Sequence, residues 1–289
     1  MKRLNLFFLI IIFVLLVGCS KTPEKLSQYN FKQGVAEMRI DFIDRAPPEE
    51  IYPNSDFKMV VQLDNQMGYD ATTIEVNFVG LNRKYFDVSP PDKGNPQQSL
   101  DLLKGRSITA PDGDKKYFDF SGNSGDLFQN AEEYLANYFL TLSYFSKIEF
   151  TDTVCINPNI YEIYDSGCKF DDLKSYSGQG APLAVDEIEE IILPGDSPEI
   201  EFRIRLKNKG KGKIKLIDFD SAKLGSESLN CKFQNSNTDL TIELKKEKQE
   251  AILICSKTLK EKVSYTTTLL LDFTYQYELE KKEKLKIIK

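Results

Sequence analysis

The sequence predicts an all-β protein with two tandem β-sandwich domains behind an N-terminal export signal. Three observations predict this class. Apolar and polar residues alternate in many segments, helix signals are short and few, and a proline turn followed by an alternating strand occurs twice. The 289 residues are enough for two domains of ~150 residues each.

Alternation is the dominant pattern from Ala36 onward. It gives each segment one apolar and one polar face, which is typical of strands that bury one face of an antiparallel sheet. The clearest segments span residues 57–63, 74–78, 140–144, 202–206, 240–244 and 269–277. Short helices are predicted only at residues 126–137, with Asp126 as the N-cap, and at 99–103.

The N-terminus has the three parts of an export signal. Lys2 and Arg3 are followed by an apolar run at positions 6–17 and then by a small residue, Gly18. A membrane-spanning helix needs about 20 apolar residues, so this run is too short for one. Residues 1–18 are therefore predicted to be a signal peptide, and a short uncleaved membrane anchor is the alternative.

The apolar run ends in Leu16-Val17-Gly18-Cys19, which resembles the lipobox of prokaryotic lipoproteins. The resemblance implies that lipid is attached to Cys19 and that this cysteine becomes the first residue of the mature chain. It also implies a lipid-anchored protein at the cell membrane that faces the extracytoplasmic side. A lasting hold needs a second lipid chain, because one chain binds only marginally.

The rest of the chain divides by composition into four parts. Residues 19–33 are polar and are predicted to be a tether between the lipid and the fold. Sandwich domains are predicted at 34–154 and 184–289. Residues 155–183 break the alternation and contain several glycines and prolines, so they are predicted to be a connector.

A short pattern occurs once in each predicted domain. Residues 51–56 (IYPNSD) lead into one strand and residues 192–197 (ILPGDS) into another, and an asparagine turn follows each strand. These copies resemble the immunoglobulin-like (Ig-like) domains of archaeal and bacterial surface proteins that are called CARDB-type or S-layer-associated. The resemblance implies Ig-like β-sandwiches of an extracellular kind, and it carries over no catalytic or binding residue. The turns differ: the first copy has Asn65-Gln66-Met67-Gly68 where the second has Asn208-Lys209-Gly210.

Four cysteines remain beyond Cys19: Cys155, Cys168, Cys231 and Cys255. An even number in an exported chain predicts disulfides. Three connectivities are possible, and the local one, Cys155–Cys168 with Cys231–Cys255, keeps each bridge within one segment. The alternatives are free buried thiols and a four-cysteine zinc site, although structural zinc prefers closely spaced cysteine pairs, which this chain lacks.

Composition excludes several classes of chemistry. Histidine is absent, which removes Ser-His-Asp and Cys-His catalysis and histidine metal ligands. The formal net charge is −6, and this mild acidity argues against nucleic acid as a partner, since phosphate binding needs a basic surface. No cofactor, metal or catalytic residue is predicted.

Two clusters are candidates for a functional site. The acidic residues Asp186, Glu187, Glu189 and Glu190 are interpreted as the solvated edge of a strand; a glycosidase would instead need two carboxylates that face each other across a cleft. An aromatic cluster is interpreted as core, with an exposed patch for a partner protein or sugar as the alternative. It comprises Tyr134, Tyr138, Phe139, Tyr144 and Phe145.

These observations predict a lipid-anchored cell-surface protein that binds a partner or builds the envelope, without catalytic activity. The expected partners are the membrane, through lipid on Cys19, and another envelope protein or a polysaccharide. Two alternatives stay open. One is a carboxylate-based hydrolase that acts on envelope polymers, and the other is a periplasmic assembly or chaperone module that offers a strand to its partners.

Overall fold

The structure is a computed structural model that describes residues 30–92, 95–158, 168–195, 197–236, 238, 240–260 and 263–289. Within these ranges the chain forms seventeen strands and no helix, so the predicted all-β class is confirmed. The strands are β1 (Met38–Phe42), β2 (Asp56–Asn65), β3 (Ala71–Val79), β4 (Phe86–Ser89), β5 (Pro91–Asp92), β6 (Asn95–Leu103), β7 (Lys115–Ser124), β8 (Glu133–Ile156), β9 (Leu173–Ser175), β10 (Leu183–Leu193), β11 (Glu199–Asn208), β12 (Lys213–Leu224), β13 (Glu227–Ser228), β14 (Asn230–Phe233), β15 (Thr241–Glu243), β16 (Glu250–Thr258) and β17 (Tyr265–Ile288).

The strands form three antiparallel sheets. Their orders are β1-β2-β7-β4, β14-β16-β11-β10-β9, and β13-β12-β17-β8-β3-β6-β5, with β15 beside β12. Aromatic rings mark where the smaller sheets meet the largest one. Phe120 of β7 packs edge-to-face on Phe78 of β3 at 4.7 Å, and Tyr176 after β9 packs edge-to-face on Phe150 of β8 at 4.8 Å.

The strands β8 and β17 form the central pair of the largest sheet. Each has 24 residues, and they pair along their whole length, which is about 80 Å for a strand. β8 also pairs with β3 from the predicted domain 34–154, and β17 pairs with β12 from the predicted domain 184–289. The two predicted halves thus share one sheet, and Phe31–Lys289 form one compact unit. The tandem two-domain arrangement stays a prediction.

Alternation decides which side chains form the core. In β2, Met59, Val61 and Leu63 have no exposed surface, and the same period of two occurs in β3, β8, β11 and β17. The predicted strand at 240–244 is the exception. β15 there is only three residues long, and Leu240 is exposed.

Both helix predictions are wrong. Residues 99–103 lie in β6, residues 126–132 form a loop, and β8 begins at the next residue. In β8, Ala136 and Tyr138 are buried while Phe139 is exposed, which is the period of a strand. Pairing with β17 gives the backbone of this segment its hydrogen bonds, and this outweighs the helix propensity of its residues.

Candidate functional site

Aromatic side chains gather where β8 begins. We call this region the aromatic end; it comprises Tyr52, Lys84, Tyr85, Phe128 and Tyr134. Tyr52 is 61% exposed and Phe128 is 65% exposed. Large aromatic rings contribute most to stability when they are buried, so two such rings in water make this region a candidate binding surface.

Ring contacts join two loops of the aromatic end. Tyr85 and Tyr134 stack with their centroids 3.9 Å apart and their planes at 24°. The Lys84 ammonium lies 5.5 Å from the centroid of Tyr85 and 5.4 Å from that of Phe128, which is within the range of cation–π attraction. The turn before β4 is thereby fixed to the loop between β7 and β8.

A third turn, before β2, is held against the same loop by hydrogen bonds. The side-chain amide of Asn54 donates to Oδ1 of Asp126 at 2.6 Å, and the Ser124 hydroxyl donates to the Tyr52 carbonyl at 2.6 Å. Asn54 has a φ of 54°, in the left-handed region that asparagine tolerates better than most residues. The turn that carries Tyr52 is therefore fixed at both of its ends.

Glycine is required at position 125 for these loops to meet. The Gly125 N–H donates to the Tyr85 carbonyl at 2.9 Å. A Cβ at this position would lie 2.3 Å from the Lys84 carbonyl oxygen, so any other residue would push the two loops apart.

The aromatic end lies far from the point where the described chain enters the fold. At that point the Lys32 ammonium bonds to the carboxylate of Glu149 in β8. Glu149 lies fifteen positions after Tyr134 in the same strand, which corresponds to about 50 Å.

The five residues of the predicted aromatic cluster all lie in β8, but they differ in how far they are exposed. Tyr138 and Tyr144 are fully buried, Tyr134 and Phe145 are half-buried, and Phe139 is 43% exposed. Burial raises the pKa of both buried tyrosines well above the usual range. The core interpretation is therefore right for the buried pair, and only Tyr134 of this cluster belongs to the aromatic end.

Sequence reasoning missed the other rings of the aromatic end. Tyr52 and Tyr85 stand in turns outside any alternating stripe, and Phe128 lies in the segment that was predicted to be a helix. Aromatic residues among Asn, Pro, Gly and Ser were the available signal, because such turns are exposed.

The acidic residues near position 190 do not form a free edge. β10 lies between β9 and β11, so the edge interpretation is wrong. Ion pairs occupy three of the carboxylates: Asp186–Lys209 at 2.6 Å, Glu187–Arg205 at 3.3 Å and Glu189–Arg203 at 3.4 Å.

Glu190, the fourth of these residues, is buried. It is 6% exposed and shares the core face of β10 with Ile188 and Ile192. Its Oε1 has no hydrogen-bond partner in the described part of the chain. Burial raises the pKa of Glu190 to about 8; Lys174 opposes this rise and Asp171 adds to it. The carboxyl is therefore mostly protonated at neutral pH.

Asp152 in β8 has the opposite shift. Burial alone would raise its pKa, but Tyr176 donates to its carboxylate at 2.7 Å and Lys174 at 3.0 Å, and these bonds make the net shift downward. Carboxylates with opposite shifts can act as an acid–base pair. Here Glu190 faces the core, where a substrate has no access, so the pair supports no hydrolase site.

Both predicted disulfides are present. Cys155 of β8 is bonded to Cys168, and Cys231 of β14 is bonded to the residue opposite it, Cys255 of β16. The local connectivity is confirmed, and the zinc and free-thiol alternatives are wrong. Cys19 lies outside the described residues, so its lipidation stays a prediction.

The described ranges hold neither a metal-binding cluster nor a membrane-spanning helix. They contain no group of three or more His, Cys, Asp or Glu side chains that could hold a metal ion. They also contain no helix of the length and hydropathy that crossing a membrane requires.

Comparisons with known proteins give matches among solved structures alone. No protein-family model and no curated protein matches this chain. Among solved structures, the sporulation control protein Spo0M from Bacillus subtilis is 9% identical, with a TM-score of 0.21, over 59% of this chain and 80% of that one. The E. coli chaperone DraB is 9% identical, with a TM-score of 0.21, over 81% and 87% of the two chains. The CupB6 tip adhesin from Pseudomonas aeruginosa is also 9% identical, with a TM-score of 0.21, over 89% and 98%.

These TM-scores are too low to support an argument about function.

Proposed function

We propose that this protein is a lipid-anchored binding protein of the cell envelope. It is held at the membrane through lipid on Cys19, faces the extracytoplasmic side, and recognises another envelope protein with its aromatic end. The convergence of Tyr52, Lys84 and Phe128 on three fixed loops carries the proposal. Loops on a rigid β scaffold are a common place for binding residues. The proposal assigns no reaction to the protein.

The composition of these loops favours a protein partner. Residues 52–55, 82–85 and 125–130 are rich in Tyr, Asn, Ser and Gly, the residue types that antibody loops use. Rigid aromatic rings supply contact area at a low entropic cost, and the small polar residues supply adaptable hydrogen bonds. Exposed Tyr and Phe rings fit the chemistry of an interface core better than that of ordinary surface, because aromatic residues are enriched in interfaces.

Location and orientation support the same proposal. Disulfides persist in oxidising compartments outside the cytoplasm, and this chain has two of them. The predicted tether at 19–33 leads to the contact between Lys32 and Glu149, ~50 Å along β8 from the aromatic end. A lipid at Cys19 would thus hold the protein at a point remote from its binding loops.

Replacing Cys19 with alanine should abolish lipid attachment. In producing cells fed a labelled fatty acid, the wild type should carry label and sediment with membranes, because the thiol is the predicted attachment point. The Cys19→Ala chain should carry none. Ser20→Ala serves as the matched control and should be labelled like the wild type. Equal labelling of the wild type and Cys19→Ala, or an unlabelled wild type, would refute the anchor.

Removing the exposed rings should weaken binding at the aromatic end. We expect Tyr52→Ser with Phe128→Ser to lower the affinity for envelope fragments from cells that lack the protein by about tenfold or more, since buried aromatic anchors carry much of the binding energy. Binding isotherms of the labelled full-length chain measure this. Tyr117→Ser is the control, because Tyr117 is 51% exposed but lies in β7, seven residues before the end of that strand.

The fragments also test the class of partner. Protease treatment of the fragments should abolish binding if the partner is a protein. Binding that survives protease but not glycan removal would show a polysaccharide partner and contradict the protein assignment. Unchanged affinity of the double variant would show that the aromatic end is not the binding surface.

A further inference from the structure

The strand β1 presents an open edge on a different surface. It is the outermost strand of its sheet and, within the described chain, it pairs only with β2. A groove of about 600 Å³ runs beside it, lined by residues 35–41 and, among others, by Lys211 and Leu279.

The hydrogen-bonding groups that face the groove follow from the pattern of the pair. Ile43, directly after β1, donates its N–H to the carbonyl of Val60 in β2 at 3.0 Å. In an antiparallel pair, every second residue bonds to the same side. Ile40 and Phe42 therefore direct their N–H and C=O groups away from β2, toward the open side.

The charges on β1 are complementary to those of a second, reversed copy of the same strand. Arg39 and Asp41 flank Ile40, and both are exposed. If two β1 strands lie antiparallel with Ile40 opposite Ile40, each Arg39 stands opposite Asp41 of the second copy. Such directly opposed opposite charges attract. Edge strands that avoid pairing usually carry charges that repel a second strand, as runs of lysine do. The charges of β1 do not repel a second copy of β1.

These charges are available for an intermolecular contact. Arg39 makes no ion pair with any residue that the structure describes. Among the same residues Asp41 pairs only with Lys281, at 2.8 Å, and the two side chains are 63% and 42% exposed. An exposed pair of this kind contributes little to stability, so exchanging it costs little.

We propose that two copies of this chain associate through their β1 strands about a two-fold axis at Ile40. The N–H groups of Ile40 and Phe42 from both copies donate across the axis, and two four-stranded sheets become one of eight strands. The same patch is used on both copies, as in closed symmetric dimers. Attachment to one membrane would raise the effective concentration of the copies and favour this contact, which uses none of the residues of the aromatic end.

Charge exchange tests the pairing directly. Two full-length copies with different tags are co-expressed, and their co-isolation is measured. Arg39→Asp in both copies places only acids on β1, and Asp41→Arg in both places only bases, so each should lower co-isolation by about tenfold. Arg39→Asp in one copy with Asp41→Arg in the other should restore it. Asp44→Arg, three residues beyond Asp41 and outside β1, is the control and should have no effect.

Cysteine trapping in cells tests the register and detects weak association. Residues 39 and 41 of opposite copies would be direct neighbours, so Arg39→Cys co-expressed with Asp41→Cys should form an intermolecular disulfide. Arg39→Cys alone should form several-fold less, because its two thiols are offset along the strands. Thermal unfolding of each variant confirms that it folds. Absence of both co-isolation and trapping, or equal co-isolation in every charge combination, would overturn the proposal.

Discussion

Replacing Glu190 with glutamine should stabilise the protein at alkaline pH and remove a large part of the pH dependence of its stability. The carboxyl is 6% exposed, and its Oε1 has no partner among the described residues. Burial is the main reason that its pKa rises to about 8, with Lys174 acting against the rise and Asp171 with it. Glutamine has almost the same shape and never acquires the charge that this environment disfavours.

The direction of the effect follows from proton linkage. In the unfolded chain this carboxyl has its ordinary pKa of 4.5. Between that value and about 8, the unfolded chain releases the proton and the folded protein keeps it. Raising the pH therefore favours unfolding across this window. Below it Glu190 has no effect, and above it the penalty is constant at up to roughly 5 kcal/mol, from ~1.4 kcal/mol per pKa unit.

Denaturant unfolding from pH 4 to pH 9 measures this effect. The difference in free energy of unfolding between Glu190→Gln and the wild type should be near zero at the acid end, grow through neutral pH and level off near pH 9. Glu189→Gln is the matched control, because Glu189 is half-buried and its carboxylate is paired with Arg203; its difference should stay small at every pH. A difference for Glu190→Gln that does not change with pH would show that the carboxyl is ionised in the folded protein.

The burial of Glu190 could have been predicted from the sequence. Glu190 has the parity of Ile188 and Ile192, so alternation alone places it on the apolar face. The same rule assigned Tyr138 and Tyr144 correctly to the core. Reading the acids as a cluster of like charges, rather than by their parity along the strand, led to the wrong interpretation.

The pairing of the strands could not be predicted from the sequence. Alternation in residues 269–277 indicates a strand, but it does not indicate that β8 is the neighbouring strand or that the pairing continues to Ile288. That pairing brings the C-terminal residues beside the start of β8, close to the aromatic end. The sequence could signal the exposed rings of the aromatic end one by one, but it could not predict that they gather, because their three loops are far apart in sequence.

Removing the disulfide between Cys231 and Cys255 should destabilise the folded protein. We expect Cys231→Ala with Cys255→Ala to lower the free energy of unfolding by about 3 kcal/mol, since the bridge restricts an unfolded loop of 24 residues in sequence separation. Loss of packing adds to this, because Cys255 has no exposed surface. Denaturant unfolding without reductant measures the change.

The loop that this bridge closes leaves one sheet and returns to it. β14 and β16 belong to the five-stranded sheet, while β15 between them pairs with β12 of the largest sheet. The disulfide joins the two ends of this segment, because Cys231 in β14 and Cys255 in β16 lie directly opposite each other in the sheet. Without it, β15 is held by three residue pairs with β12, so protease cleavage near residues 234–249 should accelerate before the rest of the protein unfolds.

The second disulfide supplies the matched comparison. Cys155 and Cys168 are 13 residues apart, so Cys155→Ala with Cys168→Ala should cost slightly less by the same entropic argument, and it should leave cleavage at 234–249 unchanged. Equal acceleration of cleavage in both variants would mean that residues 234–249 are held in place by the fold as a whole and not by the Cys231–Cys255 disulfide. A loss well under 1 kcal/mol for Cys231→Ala with Cys255→Ala would mean that pairing of β14 with β16 already restricts the unfolded loop.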